Sequence, residues 1–131
     1  MEGFVSLIIR GNSLSFEDIT TSLKLQPTTI KRKGEPLTSD QVINDDYWSY
    51  KVKFGDGQMD TALESFLNSL KPSNEFIRSI ANNHETYIFF SLRSGLGQMG
   101  FELKPDVLKA LSDMEIKFEV HVLSFGEVKN T

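Results

Sequence analysis

The sequence predicts an α+β domain built on a four-stranded, mainly antiparallel sheet, and three observations carry that prediction. Two segments, Phe4 to Arg10 and Thr86 to Arg93, are apolar on both faces, as central strands are. Trp48 to Phe54 alternates cleanly between apolar and polar side chains, as a strand with one wet face does. Between the strands lie runs with apolar residues at helical spacing.

In chain order, the first strand places Val5, Leu7 and Ile9 on one face and Phe4, Ser6 and Ile8 on the other. Gly11-Asn12-Ser13 ends it. Ser15 and Asp18 then form the S-x-x-[DE] pattern of a capping box, and Phe16, Ile19 and Leu23 follow as a helical stripe. Pro27 stops that helix, because the residue before a proline is pushed out of helical geometry. From Leu25 to Trp48 runs a connection of about twenty residues; loops this long are uncommon in compact domains and are usually functional or disordered. The strand after it sets Trp48, Tyr50, Val52 and Phe54 against Tyr47, Ser49, Lys51 and Lys53, whose lysines suit a sheet edge.

Gly55-Asp56-Gly57 closes that strand, and a helix from about Asp60 buries Leu63, Phe66, Leu67 and Leu70. Pro72-Ser73 breaks it, and a short second helix carries Phe76, Ile77 and Ile80. After the Thr86 strand, Pro105 opens a helix whose buried stripe is Val107, Leu108, Leu111 and Met114. The last strand puts Phe118, Val120 and Val122 on one face and Glu119, His121 and Leu123 on the other, and residues 127–131 read as a short tail. The order βαβ, two helices, βαβ, as one domain over residues 1–131, is that of a ferredoxin-like sheet. In such a sheet the first and third strands lie in the middle. An inserted helix pair leaves the direction of the third strand unchanged.

Composition narrows the function classes. A chain of 131 residues can bury one respectable core, and ten phenylalanines imply an aromatic-rich core or surface patch. The absence of cysteine excludes disulfides and thiolate metal sites. A net charge of −4 weighs against general nucleic-acid binding. Met1-Glu2-Gly3-Phe4 has no signal-peptide character and no apolar run is long enough to span a membrane, so a cytoplasmic location is expected.

Catalytic chemistry finds little support. Gly95-Leu96-Gly97-Gln98-Met99-Gly100 spells G-x-G-x-x-G, yet helix entry waits for Pro105, which makes it a strand-to-helix loop rather than a dinucleotide cradle. His84 and His121 lack metal-ligand spacing, and no G-x-S-x-G elbow occurs. Asp45 and Asp46 are adjacent, so they point to opposite sides of an extended chain and make a poor acid/base pair. No enzyme activity, cofactor or metal is expected.

Binding is the remaining class. Lys31-Arg32-Lys33, followed by Gly34, could grip a phosphate, a nucleic acid or an acidic protein surface, or be a solvated loop tip. The binding set read from this region is Pro27, Thr28, Lys31, Arg32, Lys33, Gly34, Glu35 and Trp48. A second candidate is the sheet face bearing Phe4, Ile8, Tyr87, Phe89 and Leu123, flanked by Arg10, Arg93 and His121. Bases could stack there, but the RNA-recognition signature is absent and the chain is acidic. A protein-protein surface, a homodimer face, or a face covered by the inserted helices are the stronger readings.

Several short motifs carry a family resemblance. They are the glycine-ended first strand, the Leu14-Ser15 helix start, Leu23, Leu25, Pro27 and Thr28, then Lys33-Gly34-Glu35-Pro36, and later Trp48-Ser49. With the Leu70 and Pro72 helix, the Tyr87-Ile88 strand and the Leu103 to Leu111 helix, nearly the whole chain resembles the bacterial family catalogued as domain of unknown function 4279. The resemblance implies no defined activity or catalytic residues. It permits an immunity-type role, in which a protein partner is a toxin and Asp40, Asp45 and Asp46 could mimic phosphate toward it.

Overall fold

The structure, a computed structural model, describes residues 1–127. Its sheet grows outward from β1 (Glu2–Gly11), which pairs antiparallel with β3 (Asp46–Phe54) on one side and with β4 (Glu85–Leu96) on the other. β5 (Lys117–Glu127) runs parallel to β4, and β2 (Thr29–Lys31) pairs antiparallel with the first residues of β3. The result is one five-stranded mixed sheet, mostly antiparallel, in the order β2-β3-β1-β4-β5.

This replaces the four-stranded, ferredoxin-like expectation at three points: β3 opposes β1, β3 and β4 are parallel although the inserted helices were expected to leave them opposed, and β5 lies parallel beside β4. The first βαβ unit was expected to be parallel, whereas β1 and β3 are antiparallel neighbours. The cause is β2. Between the first helix and β3 the chain runs back along this three-residue strand, which adds one reversal and turns β3 against β1. The central positions expected for the first and third predicted strands do match β1 and β4. β3, expected at the edge, is covered by β2 opposite Tyr47, Trp48 and Ser49 and carries no partner strand beyond, where Lys51 and Lys53 stand among the described residues.

Local signals explain the helices. α1 (Phe16–Leu23) starts at Ser15, whose hydroxyl accepts the Asp18 N–H at 3.3 Å, and ends at Lys24 in the left-handed region. α2 (Met59–Leu70) passes through a tight turn, Lys71–Ser73, into α3 (Asn74–Ala81), and Pro72 marks the change of helix. Because β3 and β4 both oppose β1, this helical run is a crossover between parallel strands that passes over β1. α4 (Pro105–Asp113) opens on its proline and connects the parallel neighbours β4 and β5.

One core fills the space between the helices and one sheet face. Val5, Leu7 and Ile9, Trp48 and Phe54, and Ile88, Phe90 and Leu92 meet Leu63, Phe66, Leu70, Ile77 and Leu111 from the helices. Tyr50 stacks on Phe66 at 5.9 Å, and Phe90 lies against Phe118 at 5.9 Å. Leu108 departs from expectation: it is 51% exposed. Asp106, Ala110 and Asp113 line a cleft with Leu67 of α2, and Leu111 and Met114 are buried, so Leu108 falls on the flank turned away from α2. Periodicity identified the inner side of α4 but not where its neighbours end.

β5 continues to Glu127, one residue into the expected tail, and residues 128–131 lie outside the described residues. Among the described residues no helix is long and apolar enough to cross a membrane.

Candidate functional site

The connection from β2 to β3 folds back on itself as an arm. Its root is the carboxylate of Asp46, the first residue of β3. One oxygen, Oδ2, accepts the Leu14 N–H at 3.0 Å and Arg32 Nη1 at 3.2 Å; the other, Oδ1, accepts the Lys33 N–H at 2.7 Å. Asp46 is buried. The Lys33 and Leu14 N–H groups, aided by the Arg32 charge, hold its carboxyl below the usual carboxylate range, against the opposite pull of burial.

Arg32 closes the same root from outside. Its Nη1 also donates to the Leu14 carbonyl at 2.9 Å, and its guanidinium lies 4.0 Å from the Phe16 ring centroid. A single arginine thus joins the arm, the start of α1 and the first residue of β3. Trp48 sits beneath, fully buried, with its indole N–H donating to Thr20 Oγ1 at 3.2 Å.

Beyond the root the backbone pairs with itself. The Gly34 N–H donates to the Ile43 carbonyl at 2.8 Å, and the Ile43 N–H to the Glu35 carbonyl at 2.8 Å. Pro36 bridges Val42, and the Leu37 N–H reaches the Gln41 carbonyl at 2.8 Å. Gly34 supplies the φ of +91° that starts this return, a conformation side chains other than glycine rarely adopt. The ladder holds an exposed tip, where Leu37 at 53% and Val42 at 55% exposure stand out in water; Ile30 of β2, before the root, is 50% exposed.

The binding set read from the sequence therefore divides. Thr28 ties the chain to β3, its N–H donating to the Ser49 carbonyl at 2.7 Å and its hydroxyl accepting the Lys51 N–H at 2.9 Å. Pro27 is half-buried beside it. Arg32, Gly34 and Trp48 are built into the arm and its root, while Lys31, Lys33 and Glu35 expose their side chains. The sequence reading missed Ile30, Leu37 and Val42. The signal available was an apolar residue at each place in a loop otherwise rich in charge and proline.

The second candidate, the far sheet face, carries no helix among the described residues: the inserted helices pack on the opposite face with Val5, Leu7 and Ile9, which overturns the reading that they cover this one. It is covered instead by its own side chains. Phe4 stacks on Phe89 at 5.8 Å and lies under Lys51 Nζ at 4.1 Å; His121 sits 4.5 Å from Phe89, and Lys117 Nζ 4.7 Å from the Tyr87 ring. Ile8 and Tyr87 are buried on this face, Tyr87 beneath the long side chain of Lys117. An incoming base would have to displace these caps. Asp45 points to this face and pairs with Arg10 at 3.3 Å, opposite in direction to Asp46.

Elsewhere, an open groove of about 430 Å³ lies at the other end of the sheet, lined by Glu2, Asp56, Arg93, Gly95, Leu96 and Phe125. Gly100 precedes α4 rather than lying within it. Among the described residues no group of three or more His, Asp or Glu side chains is placed to hold a metal.

Compared with known proteins, the chain matches one family model, described as a domain of unknown function (DUF4279), over residues 1–124. No curated protein and no solved structure matches it.

Proposed function

The chain belongs to the DUF4279 family, and from that premise we propose that it is a non-enzymatic protein-binding module that presents the arm between β2 and β3 to its partner. One observation carries this reading: Leu37 and Val42 expose half of their surface on an arm whose root is fastened by buried hydrogen bonds, and Ile30 of β2, just before that root, does the same. A solvated connection has no use for three such side chains, and an arm ordered beforehand loses less entropy on docking. Lys31 and Lys33 flank the apolar groups and suit a partner with an acidic rim, where they raise the association rate.

An immunity-type role falls within this reading, with a toxin as the partner. Phosphate mimicry would then rest on Asp40 alone, because Asp46 is buried at the root and Asp45 is paired with Arg10. Binding of a nucleotide phosphate at the basic run has less support. The N–H groups of Lys33, Gly34 and Glu35 are already engaged by Asp46, Ile43 and Arg32, so no cradle of free donors exists there.

Co-purification with the product of the neighbouring gene at micromolar concentration tests the proposal. The wild type should retain the partner, and Leu37→Asp with Val42→Asp should release it while circular dichroism stays unchanged. Retention by the doubly substituted chain would show that the arm is not the surface. A thermal-shift panel of nucleotides separates the phosphate reading, since a saturating ligand raises the melting temperature and a non-ligand does not.

A further inference from the structure

The two edges of the sheet are finished differently. At one edge stands β2, only three residues long, with Lys51 and Lys53 on the bare part of β3; both features discourage pairing with another chain. The other edge is β5, eleven residues with no proline and, among the described residues, no strand on its outer side. Apolar side chains stand exposed on both faces of this edge, Val120 and Val122 toward the helices, Leu123 and Phe125 away from them, each between 38% and 56% exposed. Leu108 of α4, on the flank turned away from α2, adds a further exposed apolar group on the helix side.

We propose that β5 pairs edge to edge with β5 of a second copy, antiparallel about a two-fold axis at Val120, joining the two five-stranded sheets into one. The argument for a second copy is self-complementarity. In this register Val120 meets its own counterpart and Phe118 meets Val122 on the helix side, while Glu119 meets His121 on the open side. A carboxylate opposite an imidazole is favourable whether the imidazole is neutral or charged, provided a ring N–H faces it. The neighbouring registers are worse. Centring on Glu119 opposes two carboxylates, which is destabilising across strands; centring on His121 opposes two imidazoles and sets Glu119 against Leu123, and centring on Val122 sets Val120 against Ser124. The axis stands perpendicular to the sheet, so the helices of both copies lie on one side. The assembly closes at two copies, because each remaining edge is the guarded one at β2.

The test uses the intact chain and its lack of cysteine. Sedimentation equilibrium up to about 100 μM should give twice the 14.8 kDa chain mass, and Val120→Lys should return a monomer with unchanged circular dichroism. Single cysteines then read the register. Residues on the axis of an antiparallel pair lie about 4.5–5.5 Å apart between Cα atoms, within disulfide reach, so Val120→Cys should cross-link between copies faster than Leu123→Cys or Lys53→Cys. A chain that stays monomeric at about 100 μM overturns the proposal. So does a dimer in which Val120→Cys links no faster than the other two.

Discussion

The root and the tip of the arm lie close in sequence and are opposite in character. At the root a charged group, Asp46, is buried and takes three donors; at the tip apolar groups, Leu37 and Val42, stand in water. Folded proteins ordinarily do the reverse, and a buried polar or an exposed apolar cluster is the informative exception. The inversion has a mechanical sense. Charge-assisted hydrogen bonds fix direction as hydrophobic contact does not, so the root sets where the arm points and the tip is left free to meet a surface.

Substitutions can break that division, beginning with the largest expected effect. Trp48→Ala removes the fully buried indole under the root and should cost about 3–5 kcal/mol in urea unfolding, followed by circular dichroism because the only tryptophan is gone. Asp46→Ala leaves the Leu14 and Lys33 N–H groups without their acceptor and should cost about 2–3 kcal/mol. The same residue gives a pH signature. Its pKa is lowered on folding, so the stability it contributes is complete above the unfolded value near about 4 and is lost as pH falls through the lower folded value. The stability difference between wild type and Asp46→Asn should therefore shrink on acidification through that window.

Smaller effects sharpen the boundary between root and tip. Arg32→Ala should cost about 1 kcal/mol, since its side chain is half exposed and its ion pair is screened by solvent. Lys31→Ala with Lys33→Ala should stay within about 0.5 kcal/mol, as should Leu37→Ser with Val42→Ser. If the two lysines matter more to stability than Arg32, the root has been placed wrongly.

Roles that belong to single residues were legible before the structure. Ser15 reads as a helix cap and Pro105 as a helix start, because each follows from the residue's own side chain or backbone. The Asp46 clamp was not legible. It joins Asp46 to Leu14 and Arg32, residues that no local pattern connects. β2 escaped for another reason: Thr29–Lys31 holds one apolar side chain, too few to display a period of two. That omission propagated, since one unseen reversal turned β3 against β1; the run from α2 to α3 then acts as one crossover rather than two reversals, which leaves β4 parallel to β3. The face of α4 was read correctly but its neighbours were not, which is why Leu108 was placed in the core.

The central place of β1 also sets an order of events during synthesis. Of the five strands it is the first to be synthesised, and both of its partners are made later, at Asp46–Phe54 and Glu85–Leu96. Chain closures this distant are slow to form and leave the waiting segment exposed to other chains. The segment that waits is Val5 to Ile9, buried along its whole length in the finished protein. A nascent chain that has passed Leu23 can form α1 but no sheet. One row of β1 backbone groups stays unpaired until β3 arrives, and the other until β4 does.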